Sequence, residues 1–331
     1  PYPDSSVRGL ELSGEPFDPC KHLQLEPPNL IKDLNFQDIP FPFSSEEASK
    51  KRNLAYTRPF RVLSDEGVRV ARESILKHKN QLGKSDARAS FYIRGLGMVS
   101  HFHKGLSYSD DLNNLLSSLA RDSVHPSTVM NMSHTNIGEI GTGRPVDKWH
   151  VDSIDYVLVI VLSDLEDMVG GDLRVLQVPD SSGEVFEKLK SEGVPEELVE
   201  TVRYTKAGYG IFMQGSKILH SVSEVVAARE PRMSLVNSYV STRPFCTNKL
   251  RYSLFQRVDG RTFIDYEYAR HRAWRARGKL QYLEEMSTYT TPAEDMVSVL
   301  RSAAQELLAA ADFLDGVTSD HDGHIEVKGQ E

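Results

Sequence analysis

The run Tyr156-Val-Leu-Val-Ile-Val-Leu162 is apolar at nearly every position and as long as one strand. Such a segment has no face to turn to water, so it predicts a strand buried on both faces, in the interior of a sheet. Gly170-Gly171 then permits a tight reversal into a second strand from Asp172 to Val178. A third, Arg232 to Val240, sets Arg232, Ser234, Val236 and Ser238 on one face and Met233, Leu235, Asn237 and Tyr239 on the other. With 331 residues and 39% hydrophobic content, the chain has ample material for one large core.

Trp149-His150-Val151-Asp152 stands just before the first of these strands. Residues i and i+2 of an extended segment point the same way, so His150 and Asp152 offer an imidazole and a carboxylate to one point in space. A non-haem iron(II) centre that activates oxygen needs two imidazoles and one carboxylate on one triangular face. His220, at the end of Gly208-Tyr-Gly-Ile-Phe-Met-Gln-Gly-Ser-Lys-Ile-Leu-His220, is placed to bring the third ligand from a distant strand.

From about Val129 to Tyr239 the chain resembles the iron(II)/2-oxoglutarate-dependent dioxygenases, in particular their prolyl-hydroxylase-like branch. Five features in order carry the resemblance: His150-x-Asp152, the Tyr156–Leu162 run, Gly170-Gly171-Asp172-Leu173, His220 after Gly-Tyr-Gly-Ile-Phe, and Arg232-Met-Ser234 opening another apolar strand. A His-x-Asp alone is common; the ordered set is specific and spans about a third of the chain. The resemblance implies a mainly β fold with α flanks: a double-stranded β-helix (jelly roll) with N-terminal support helices, a helical insertion before the distal histidine, and C-terminal helices.

It also implies a ligand set of His150, Asp152 and His220 around Fe(II), with 2-oxoglutarate and O2 in the open positions. The distal carboxylate of 2-oxoglutarate needs a buried cation. Arg232 is the candidate because a guanidinium grips a carboxylate through two hydrogen bonds, and Ser234 adds a hydroxyl on the same face. Arg229 competes from a loop. Asn131 and Tyr156 are candidate contacts to cofactor or substrate, with backbone satisfaction and plain core as their structural alternatives. The implied reaction is oxidative decarboxylation of 2-oxoglutarate to succinate and CO2 with oxidation of an unactivated C–H bond. Hydroxylation, desaturation and cyclisation would share these ligands. The flanking elements favour an enclosed pocket and a small-molecule substrate, such as an amino acid or a natural-product intermediate. A peptidyl hydroxylase, an iron oxidase without 2-oxoglutarate and a non-catalytic jelly-roll binding protein are the alternatives.

Around the core, residues 1–43 read as a proline-rich arm, 44–316 as a single dioxygenase domain with its jelly roll over about 88–242 and a helical extension over about 262–316, and 317–331 as a polar tail. Ser44-Ser-Glu-Glu47 reads as a capping box, and helices are expected over 65–79, 109–121 and 265–286. Thr291-Pro-Ala-Glu294 opens a further helix, with Thr291 as its cap and Gly316 as its stop. Ser90–Arg94 and Met98–Phe102 read as strands, and the barrel is expected to start at Val129–Ser133. The Ser181–Val202 insertion reads as two short helices, either a lid or a solvated decoration. His101-x-His103 lacks a nearby carboxylate and is not taken as a metal site; Asp320-His-Asp-Gly-His324 reads as an inert tail.

A net charge of −8 opposes a phosphate-tracking surface, so no nucleic-acid partner is expected. No run reaches the ~18 to 20 apolar residues of a membrane span, and Pro1-Tyr-Pro-Asp lacks the regions of a signal peptide. The expectation is a cytoplasmic protein without a membrane partner. Cys20 and Cys246 are the only cysteines, too few for a disulfide framework or a zinc cluster. Oligomeric state is not legible.

Overall fold

The computed structural model describes residues 11–33, 54–85, 89, 91–177, 183–246, 248 and 250–319. The Ser44–Glu47 capping box, residues 1–10 and 34–43 of the expected arm, Ser90, Val178 and the Asp320–His324 tail lie outside them. The chain divides into two compact units, one dominated by Arg52–Val240 and the other by Ser241–Asp322.

The larger unit is built on two antiparallel sheets. In the main sheet the inner order is Tyr209–Met213, Tyr156–Val161, Arg232–Ser241, His134–Gly138. The smaller sheet runs Val199–Val202, Leu173–Leu176, His220–Val222, Asp147–His150. Followed along the chain, these strands fall main, small, main, small, small, main, small, main. That alternation is the winding of a double-stranded β-helix. The apolar Tyr156–Val161 run lies where its composition requires, hydrogen-bonded on one side to Tyr209–Met213 and on the other to Arg232–Ser241.

Period-2 alternation divides the main sheet into two faces. Tyr156, Leu158, Ile160, Phe212, Met233, Leu235 and Tyr239 join one hydrophobic core with Val68, Ala71 and Ile75 of the Asp65–Leu82 helix and Leu112 and Leu116 of the Asp110–Ala120 helix. Ser64 and Ser109 cap these helices by accepting from Gly67 N and Leu112 N. The opposite face, carrying Val157, Val159, Val161, Arg232, Ser234 and Val236, lines the barrel. A second, smaller core of Trp149, Leu176, Leu189 and Leu219 lies on the small sheet.

Several expectations need correction. Met98–Phe102 is not a strand: Gly95 turns the chain at φ 84, and Leu96–Val99 and His101–Ser107 are helical. The buried residues Leu96, Val99, Phe102 and Leu106 recur three and four apart, a helical period that a five-residue window conceals. Val129–Asn131 is a 3-10 turn, and the barrel strand starts at His134. The insertion contains one helix, Gly183–Glu192, while its second half is a 3-10 turn and the edge strand Val199–Val202, paired with Leu173–Leu176. Leu189 of that helix packs on Trp149 and Leu219, whose neighbours His150 and His220 alternate to the other face, so the helix backs the small sheet.

The smaller unit contains helices Tyr252–Asp259, Arg261–Met286 and Ala293–Leu314. Pro292, not Thr291, occupies the cap position of the last, with no side-chain cap bond; the Thr291 hydroxyl instead accepts from Thr288 N. Between the two long helices, Glu306 is buried and receives Arg272 at 3.0 Å, Arg275 at 3.1 Å and Lys279 at 2.7 Å. No helix among the described residues is long and apolar enough to cross a membrane.

Candidate metal centre

His150 closes the Asp147–His150 strand and His220 opens the His220–Val222 strand. These strands are neighbours, and the antiparallel register sets the two histidines directly opposite each other. Their ring centroids are 4.2 Å apart. Nδ1 of His150 lies 2.6 Å from the Lys148 carbonyl, and Nδ1 of His220 lies 3.0 Å from the Ile218 carbonyl. Each imidazole can therefore donate from Nδ1 to the carbonyl two residues before it, which leaves the Nε2 lone pair to bind a cation.

Asp152 lies just beyond the strand, where its N–H donates to the Gly215 carbonyl at 2.9 Å. Its carboxylate faces both rings: Oδ1 is 3.3 Å from His150 Nε2 and Oδ2 is 3.7 Å from His220 Nε2. The ligand atoms of His150, Asp152 and His220 all lie within 4.8 Å of one another, and among the described residues no other His, Cys, Asp or Glu cluster is so arranged. Burial, and then the neighbouring His150, hold His220 down to about 4, against the pull of Asp152, so its imidazole is neutral near pH 7. Two imidazoles and one carboxylate fit a first-row divalent ion and leave coordination positions for other ligands.

Glycine makes this convergence possible. A Cβ on Gly215 would lie 1.8 Å from Asp152 Oδ2, so only a hydrogen atom fits there. Gly171 does the same for Arg232: it holds φ +71, and a Cβ would sit 2.7 Å from the arginine Cδ.

Arg232 is 1% exposed. Nη1 donates to Ser234 Oγ at 2.9 Å, whereas Nη2 is buried with no hydrogen-bond partner among the described residues. The guanidinium lies over the Tyr204 ring, 5.6 Å from its centroid. Burial lowers its proton affinity, while Tyr204, Asp172 and Asp147 act to restore it. A cavity of 260 Å³ reaches this group between Met168, Gly171, Asp172, Arg203 and Tyr204. Asp147 also acts on His220, so one carboxylate is shared by the electrostatic surroundings of the histidine and the arginine.

The structure therefore gathers His150, Asp152 and His220, and sets Arg232 beside Ser234. Arg229 is engaged at the surface by Glu166 at 2.6 Å and Asp167 at 2.7 Å. Asn131 bonds Arg94 at 2.7 Å and Thr128 at 3.0 Å. Tyr156 stacks on Phe212 in the helix-covered core, on the sheet face opposite Arg232. Tyr204, Asp147 and Gly215 carried no sequence signal: Tyr204 lies in a polar stretch without periodicity, and the other two act through residues that only folding brings near.

No protein-family model matches the chain. No curated protein matches either. The chain is similar to a number of solved structures. The α-ketoglutarate-dependent carbocyclase SnoK from nogalamycin biosynthesis shares 14% identity over 61% of this chain and 85% of its own, with a TM-score of 0.45. EctD from S. alaskensis with bound Fe shares 15% over 66% and 84%, with a TM-score of 0.42. AviO1 from Streptomyces viridochromogenes Tue57 shares 13% over 56% and 90%, with a TM-score of 0.40. None of these bears on the prolyl-hydroxylase-like branch.

Proposed function

We propose that this chain is an Fe(II)/2-oxoglutarate-dependent dioxygenase that oxidises an unactivated C–H bond of a small molecule. The observation that carries the proposal is the meeting of His150, Asp152 and His220 at one point, on a barrel that also buries the partly unpaired guanidinium of Arg232. His150 Nε2, His220 Nε2 and an Asp152 oxygen would hold the metal. Iron(II) held there would supply the redox chemistry by which O2 converts 2-oxoglutarate to succinate and CO2, one oxygen atom passing to succinate and the other to the substrate in a hydroxylation or to water in a desaturation or cyclisation.

The protein's own residues have separable tasks. Arg232 Nη2 donates to the distal carboxylate of 2-oxoglutarate, with the Ser234 hydroxyl as a second donor. Tyr204 covers the guanidinium and keeps water from it. The Lys148 and Ile218 carbonyls fix the two ring orientations. A small substrate is favoured over a folded protein because His150, His220 and Arg232 are each buried to within a few per cent of completely.

The test is anaerobic titration of the Fe(II)-loaded protein with 2-oxoglutarate, followed by succinate release in air across a panel of amino acids and small metabolites. A weak visible metal-to-ligand charge-transfer band that disappears in Asp152→Ala is expected. Absence of the band from the unaltered protein rejects the proposal.

A further inference from the structure

Beyond Arg232 and Ser234, the barrel-facing side of the main sheet carries another polar group without a task. The register pairs Ser234 with Asn136, and Arg232 with Gly138. Directly paired residues of antiparallel strands project to the same face with Cα atoms about 5 Å apart. Asn136 therefore points into the barrel beside Ser234, while its neighbour Ile137 joins the helix-covered core on the other face.

Asn136 is 8% exposed, and its Oδ1 is buried with no hydrogen-bond partner among the described residues. Burying an unpaired carboxamide is costly, so a ligand that completes its hydrogen bonds is expected. Three polar groups then share one face of two adjacent strands: the Nη2 of Arg232, the hydroxyl of Ser234 and the Asn136 amide. Ser234 Oγ already accepts from Arg232, which leaves its own hydrogen to donate. With no protein partner to fix it, the amide can turn its Nδ2 to an acceptor.

We propose that Asn136 is a binding residue for the distal carboxylate of the 2-oxo dicarboxylate, acting as its third donor beside Arg232 and Ser234. The inference rests on the function proposed above. It adds a discrimination that the arginine alone supplies less well: a neutral amide opposite the hydroxyl rewards an acceptor with two oxygens, and the row of donors sets how far from the metal that acceptor must lie.

The experiment is anaerobic calorimetric titration of the Fe(II)-loaded protein with 2-oxoglutarate and with 2-oxobutyrate, which keeps the keto-acid head and lacks the distal carboxylate. Asn136→Leu is expected to weaken 2-oxoglutarate roughly tenfold or more, the worth of a hydrogen bond to a charged group. It should leave 2-oxobutyrate unchanged. Asn136→Asp sets a like charge against the ligand and should weaken 2-oxoglutarate further. Fe(II) affinity and the unfolding midpoint without ligand serve as controls, and Asn136→Ser replaces the leucine variant if that one is destabilised. Equal losses for both ligands, or no loss for either, overturn the proposal for Asn136 alone. Failure of the unaltered protein to bind 2-oxoglutarate overturns the function itself.

Discussion

Gly215→Ala tests the metal centre without touching a ligand. The backbone at Gly215 has an ordinary φ, so alanine meets no conformational penalty there and the effect is steric. Its new methyl would lie 1.8 Å from Asp152 Oδ2 and 2.7 Å from Cγ. Ordinary contact requires about 3.5 Å, so the carboxylate must retreat on the order of 1.5 Å. The Asp152 N–H to Gly215 carbonyl bond holds the two backbones together, so the side chain must yield. Metal–ligand distances tolerate about 0.2 Å, which such a retreat far exceeds. Metal affinity should fall at least 100-fold, the upper end of what loss of supporting contacts costs. The assay is thermal or denaturant unfolding with and without metal. At a concentration 100 times the wild-type Kd, the ion stabilises the wild type by about 2.7 kcal/mol, and a variant bound 100-fold more weakly by only about 0.4 kcal/mol. Wild-type metal stabilisation in Gly215→Ala would refute the assignment of Asp152 as a ligand.

Arg232→Lys keeps the charge and loses the planar fork, so the 2-oxoglutarate concentration giving half-maximal succinate release should rise by about tenfold or more while Fe(II) affinity holds. His103 is fully buried, and burial holds it down to about 3. Above pH 6.5 it is neutral folded or unfolded and contributes nothing to the pH dependence; as pH falls from 6.5 towards 3 only the unfolded chain takes the proton, so stability declines by up to about 1.4 kcal/mol per pH unit. His103→Phe should flatten that stretch of a denaturation-versus-pH curve, and an unchanged slope would show that the ring is reached by protons when folded. Glu306→Gln leaves the buried Arg275 and Lys279, and the half-buried Arg272, without their shared carboxylate and should destabilise the smaller unit by about 3 to 5 kcal/mol in urea unfolding.

The parts of the site that sequence made legible are those whose function requires a residue type at a fixed spacing. His150, Asp152 and His220 stand where an ordered pattern sets them, and the Tyr156–Val161 strand follows from having no polar face. Arg232 was legible because a cation opening an apolar strand is conspicuous. The Val199–Val202 strand was not, since its partner Leu173–Leu176 decides its conformation and the preceding helix masks the change of period. Gly215 and Tyr204 were hidden for a deeper reason. Their roles are clearances and contacts with residues 63 and 28 positions away, relations with no trace in local composition.

His150 and His220 occupy facing places in one ladder, so a slip of one residue between their strands would turn one imidazole out of the barrel. An ion held by both can be retained only by a chain that has zipped these strands correctly. Metal content after refolding would thus serve as a proofreading signal for strand registry, readable long before any substrate is known.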